Sequence, residues 1–287
     1  MIQSIFQYEF LQNAFLTGIL IGFLAPLLGV FIVVRRLSLI ADALSHVTLA
    51  GIAASLLLEK YFVALHGLNP LYLGMAFSVG GSLFIEKLRG VYNHYQELAI
   101  PIILSGGIGL GVIFISLADG FNTDLYSYLF GSVSAVSRTD LWVIFIISIV
   151  VVITIILLYK ELFLLSFDEE HAKASGIAAK SIHFIFIIMV ALVIAASMRI
   201  VGILLVSSLI TLPVAASIRI AKGFKQTIFL SIIFGEIAVL GGLFTSYYID
   251  LAPGGTIVII AVVILVFTIV YKKMLIKSQI SKGGTAG

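Results

Sequence analysis

The sequence predicts an all-α, polytopic bundle of about nine transmembrane helices, and three observations carry that reading. Hydrophobic residues make up 61% of the 287 residues and charged residues only 11%, whereas a soluble protein carries charge on about a quarter of its chain. The apolar residues gather into stretches close to the ~17–25 residues a helix needs to cross hydrocarbon. The cations also sort. Of the 17 Lys and Arg residues, all but Lys60, Arg138 and Arg199 fall on one side of the alternation. The positive-inside rule makes that side cytoplasmic, with the N-terminus outside and the C-terminus inside.

The first span, 12–34, has no basic region before it and runs into further apolar sequence, so it reads as a helix that stays rather than a cleaved leader. Pro26 should kink it, and Gly18 and Gly22, four apart, favour close packing. The second span, 38–58, follows Arg35-Arg36 and carries Asp42 and His46. A third, short span covers 70–86, and a fourth, 98–118, repeats the small-residue spacing at Gly107 and Gly111. Its Gly106-Gly107-Ile-Gly109-Leu-Gly111 run has the wrong spacing and setting for a nucleotide fingerprint. Between 119 and 140 the connection is too long for a turn. Its centre, Leu125 to Gly131, predicts a short interfacial or re-entrant helix with Tyr126 and Tyr128 at headgroup level.

Spans five to nine are read at 141–160, 181–198, 200–218, 227–248 and 254–271, with a second kink at Pro213. Residues 1–277 form one transmembrane domain, and polar, Gly-rich 278–287 read as a loose tail. The outer loops lean acidic, at Glu59, Asp119, Asp124, Asp140 and Asp250, which solvates loop ends or attracts a cation. With no cysteine, disulfides and thiolate metal sites are excluded. Neither a P-loop nor a His-Glu-x-x-His pair is present, so the chain hydrolyses no nucleotide through a P-loop and is no zincin. The basic balance sets orientation and implies no nucleic acid.

Chemistry concentrates in two stretches. Asp42 and His46 are one helical turn apart and share a face. His46 lies about 12 Å along the helix from Ser38, near the midplane. A charge there costs several kcal/mol, so the pair is either hydrogen-bonded structure or half of a transient metal site. Carboxylate plus imidazole suits zinc or manganese, and two ligands grip loosely enough for passage. Ser45 and Thr48 are weaker lining candidates. Glu236, the one carboxylate deep in another span, is either a neutral bonded acid or a further pathway ligand completing the shell. The second stretch, Ser166 to Ile177, is a charged, helix-forming cytoplasmic loop stopped by Gly176, either a solvated connector or a docking helix for a partner. His171 there should face solvent, and His66, His94 and His183 read as ordinary.

The stretch R-R-L-S-L-I-A-D-A-L-S-H-V-T-L-A-G (35–51) resembles the signature of the metal-ion permeases of bacterial ABC importers, the zinc, manganese and iron uptake family. S-F-D-E-E-H-A-K-A-S-G-I (166–177) looks like that family's coupling loop, and 201–217 and 250–259 match its pattern in order. The resemblance implies a multi-pass protein of the bacterial cell membrane that is not itself an enzyme. It implies two permease copies around one pore, two cytoplasmic ATPase subunits and an extracytoplasmic metal-binding protein. Asp42 and His46 then line the path, and Asp168, Glu169, Glu170, Ala172 and Gly176 meet the ATPase. No cofactor is held permanently, since Zn2+ or Mn2+ is the cargo. Leu49-Ala50-Gly51, where manganese-type members often carry Leu-Pro-Gly, points to the zinc-uptake branch. The rival is a proton-coupled secondary transporter using Asp42, His46 and Glu236 as a relay.

Overall fold

The computed structural model describes residues 7–62, 67–92, 94–118, 120 and 123–283, without the side chains of 123–124 and 276–283. His66 and Asp119 lie outside the described residues, as does the side chain of Asp124. In chain order the helices are α1 (Glu9–Val34), α2 (Leu39–Tyr61), α3 (Pro70–Val91), α4 (Ala99–Leu117), α5 (Thr123–Phe130), α6 (Arg138–Leu157), α7 (Tyr159–Phe167), α8 (Glu169–Ala174), α9 (Ala179–Val201), α10 (Val206–Ile220), α11 (Phe224–Ile249) and α12 (Pro253–Gly283). Eight are long and apolar enough to cross a membrane: α1–α4, α6, α9, α11 and α12. The seventh expected span, 200–218, is the exception, because α10 has only 15 residues.

The shortfall in α10 has a local cause. Gly202 takes φ +81° and turns the chain back on itself. Residues 203 and 204 then donate their amides to the carbonyls of Tyr128 and Leu129 on α5 rather than to a helix of their own. The short helix expected near 125–131 is present, but its two tyrosines face different surroundings. Tyr128 is 3% exposed beneath Arg199, whereas Tyr126 faces outward. Helix α12 continues to Gly283, so the stretch expected as a loose tail keeps helical backbone over 278–283.

Two of the tight connections follow local rules. Arg35 and Arg36 close α1 in a Schellman turn: Leu37 N–H donates to Ile32 O (2.9 Å) and Arg36 N–H to Val33 O (3.0 Å). Arg36 takes the left-handed φ of +57° where glycine is usual. Helix α6 opens with a capping box between Ser137 and Asp140.

Ion pairs knit the two ends of the bundle. At the outer end Arg199 meets Asp140 (3.1 Å) and Arg138 meets Glu9 (3.5 Å). Arg138 and Arg199, both on the sparsely basic side, are therefore paired with acids. The small-residue pairs act as expected: a Cβ on Gly18 would meet Leu243 of α11, and one on Gly107 would meet Val47 and the His46 backbone on α2.

Candidate functional site

Helix α2 is the centre of the bundle, packed against α3 and α4 on one side and α9 and α10 on the other. From Ile40 to Ala54 every residue is buried except two, and those two are Asp42 and His46. Along this stretch the one open stripe of the helix therefore carries an acid and an imidazole a turn apart, and nothing apolar. Gly107 sets the depth of the neighbouring wall. With no side chain, it brings α4 against the backbone of His46 and Val47.

The weaker sequence candidates fall elsewhere. Ser45 is 1% exposed and points away from the open stripe, with its hydroxyl buried and without a hydrogen-bond partner. Thr48 is also buried and returns its hydroxyl to Leu44 O at 2.6 Å. Neither lines the stripe. Glu236 does not join Asp42 and His46: it sits on α11 against Gly22 of α1, where an added Cβ would stand 3.3 Å from the carboxylate carbon. Among the described residues no group of three His, Cys, Asp or Glu side chains could hold a metal ion. One chain thus presents two ligands, and the rest of any shell has to come from water or another molecule.

The second candidate site is α8 and its ends. Asp168 caps the helix by accepting from His171 N–H at 2.8 Å. Gly176 stops it at φ +81° in a Schellman turn, with Gly176 N–H to Lys173 O and Ile177 N–H to Ala172 O, both 3.1 Å. Glu169, Glu170 and His171 are exposed, as a docking surface requires, while Ala172 is fully buried and anchors the helix to the bundle. Lys173 pairs with Glu169 at 2.8 Å, and that ammonium holds the Glu169 carboxyl below the usual carboxylate range.

Two groupings escaped sequence reasoning. At the cytoplasmic end His183 of α9 is buried with cations at both ring nitrogens: Arg35 Nη2 at 2.7 Å from Nδ1 and Arg89 Nη1 at 2.5 Å from Nε2. Glu86 Oε2 lies 3.0 Å from Nε2 and 3.5 Å from Arg89. A neutral ring accepts at one nitrogen only: with Nδ1 accepting from Arg35, Nε2–H faces Glu86, the Arg89 contact at Nε2 is not a hydrogen bond, and Arg89 donates instead to Gln96 Oε1 at 3.2 Å. Burial pulls the Arg35 guanidinium below its ordinary pKa, and Glu169 acts in the opposite sense. At the outer end Asp140, fully buried, holds Ser137, Asn69 and Arg199. Arg199 in turn donates to Tyr128 and to Ala135 O. A lone histidine at the head of a span and an acid in a loop gave no sequence signal for either grouping.

The family model described as the ABC 3 transport family matches residues 7–272. A probable metal transport system membrane protein of Treponema pallidum is 37% identical over 263 residues, spanning 92% of this chain and 96% of that protein. The manganese transport system membrane protein MntC of Listeria monocytogenes is 34% identical, over 92% and 91% of the two chains. Among solved structures, PsaBC from Streptococcus pneumoniae in complex with Fab aligns with a TM-score of 0.80 at 32% identity, over 93% of each chain.

Proposed function

Because this chain belongs to the ABC 3 transport family, we propose that it is the membrane-spanning permease of an ATP-driven importer whose cargo is a divalent transition-metal ion. The observation that carries the proposal is the open stripe of α2. Between Ile40 and Ala54 an otherwise buried stretch of the helix leaves only Asp42 and His46 part-exposed. Burial of so much of one helix is costly to interrupt with polar groups unless they meet something polar. The pair has no third ligand of its own, so a second copy of the chain facing it would supply Asp42 and His46 again. That set of two carboxylates and two imidazoles is suited to a borderline divalent ion. Each chain alone holds the ion weakly, and separation of the two stripes releases it.

The ion itself is chosen by weaker signals. Leu49-Ala50-Gly51 favours zinc, whereas relatives named for manganese, at 34% identity in two cases, favour manganese. Manganese is the first reading here and zinc the second. Energy enters at α8, where a cytoplasmic ATPase docks on Glu169 and Glu170. Closure of the ATPase pair biases the permease toward one of two conformations, and hydrolysis returns it. Glu236, apart from the stripe, has no place in ion binding in this scheme.

The test is uptake of radioactive manganese and zinc into vesicles holding the chain with and without its ATPase partner. Asp42→Ala and His46→Ala should each abolish uptake while membrane insertion and ATPase docking persist. Uptake by the chain alone, driven by a pH gradient, would establish the proton-coupled rival instead.

A further inference from the structure

We propose that the cytoplasmic groove between α3 and α9 is a binding site for an anionic phospholipid, with its phosphate between Lys87 and Lys180 and its acyl chains on Leu83, Phe184 and Ile185. The groove has a volume of about 700 Å³ and is lined by these residues with Glu86, Gly90 and Ser181. The two helices run in opposite directions, so their sequences mirror each other across it. Lys87 lies four residues after Leu83 on α3, and Lys180 four residues before Phe184 on α9. Each lysine therefore stands one turn above an apolar side chain, at the same end of the bundle.

The depth is right for a lipid. Lys87 is one turn before the end of α3 and Lys180 is in the first turn of α9, close to the cytoplasmic headgroups. Leu83, Phe184 and Ile185 are 38%, 43% and 39% exposed one turn deeper, at acyl level. Gly90 leaves the mouth open, since a Cβ there would meet nothing within 4 Å.

Charge selects the class of lipid. Neither lysine pairs with a carboxylate among the described residues, whereas Arg89 and Arg35 beside them are engaged with Glu86 and His183. Glu86, the one acid in the groove, is turned toward His183 and Arg89. The mouth thus keeps two free cations over an apolar floor. Such cytoplasmic basic pockets between spans attract anionic headgroups. The inference needs only the membrane setting and holds whichever ion the chain carries.

The experiment uses the full chain in liposomes with a single tryptophan moved into the groove. Trp142 is the only tryptophan, so Trp142→Phe with Phe184→Trp gives a clean reporter. Its fluorescence is titrated with brominated phosphatidylglycerol and with brominated phosphatidylcholine of the same chains. The anionic lipid should reach half-quenching at a mole fraction about thirtyfold lower, from two lysines near the surface. Lys87→Gln with Lys180→Gln should bring the two curves together, and millimolar inorganic phosphate should leave them unmoved. Equal quenching by both lipids would overturn the proposal, as would a preference that survives the lysine changes. Competition by phosphate would make it an anion site instead, and protection from both lipids would mean that protein, such as a second copy, covers the groove. Native mass spectrometry of the unlabelled chain gives an independent reading. The wild type should retain about one more phosphatidylglycerol than the double glutamine variant, and equal retention would count against the site.

Discussion

Removing Arg199 tests how the outer end of the bundle is held. Its partner Asp140 is 0% exposed, and the Arg199 side chain is 17% exposed. Breaking a buried ion pair from one side costs about 3–5 kcal/mol, because it leaves a charge without a partner in a dry place. In Arg199→Met, Asp140 still accepts from Ser137 Oγ (2.6 Å) and Asn69 Nδ2 (2.6 Å), which puts the expected loss near the lower end, about 3 kcal/mol. Asp140→Asn leaves Arg199 with Tyr128 and Ala135 O as acceptors and some access to water. Its expected cost is about 2 kcal/mol. The double variant should lose about 3 kcal/mol rather than the sum of about 5, since the two changes remove one shared interaction. Equilibrium unfolding in dodecyl sulfate mixed micelles, followed by circular dichroism, measures all three. Additivity within about 0.5 kcal/mol would show that the two residues do not act as a pair. A loss below about 1 kcal/mol for Arg199→Met would show that the site is wetter than its burial implies.

Two further outcomes separate neighbouring residues of the same type, and two concern α8. Arg36→Gly should be neutral or stabilise by up to about 1 kcal/mol, since glycine relieves the +57° φ; Arg35→Ala should cost about 2–4 kcal/mol by stranding His183 and uncovering Phe186, whose ring centroid lies 5.5 Å from the guanidinium, both read by thermal unfolding. Gly107→Ala places a Cβ 2.8 Å from Val47 Cγ2 and 2.9 Å from Val47 N, so it should cost about 1–3 kcal/mol and lower metal uptake, while Gly109→Ala, with open space around it, should change neither. Gly176→Ala should strain the +81° stop of α8 by about 1–2 kcal/mol and reduce ATP-coupled uptake with little change in global unfolding. The Glu169–Lys173 pair carries a pH sign as well. Because the folded carboxyl is lowered chiefly by Lys173, its contribution is present above the ordinary glutamate pKa and is lost only as pH falls through the lower folded value. ATPase docking through α8 should therefore stay flat from neutral pH down to about pH 5, and a docking loss between pH 7 and 6 would contradict it.

Hydropathy made the long helices legible because crossing hydrocarbon imposes length and composition together. It failed at α10, where the apolar run 200–218 is long enough on paper to cross but the helix has 15 residues. What shortens the helix is Gly202 and the two amides that bond to α5, a tertiary fact with no trace in a window average. Helical spacing placed Asp42 and His46 on one face, and the open stripe of α2 carries both. It could not say that Ser45, about 100° round the helix from His46, turns inward, nor which helix Glu236 would face. Periodicity fixes a residue's angle about its own axis and leaves its neighbours undetermined. The same limit hid Asp140, whose partners Asn69 and Arg199 come from helices far away in sequence.

His183 shows what that limit conceals about coupling. The docking helix α8 enters the bundle through buried Ala172 and ends at Gly176. Three residues on, α9 begins, and one turn into it stands His183. The ring contacts Arg35, which closes α1 just ahead of α2, and the Glu86–Arg89 pair at the foot of α3. Arg35 precedes Asp42 by seven residues, across the turn that separates α1 from α2. If α8 takes force from a partner as proposed, one contiguous route from it toward α2 runs through these polar contacts at the cytoplasmic end of the bundle. Packed side chains spread a displacement over many neighbours, whereas the single hydrogen bond from Arg35 to the ring is made or broken over a few tenths of an ångström. In the proposed scheme, that makes the cytoplasmic charge cluster the place to test for coupling between α8 and the Asp42–His46 stripe: Arg35→Ala should lower ATP-coupled uptake by more than its loss of stability accounts for.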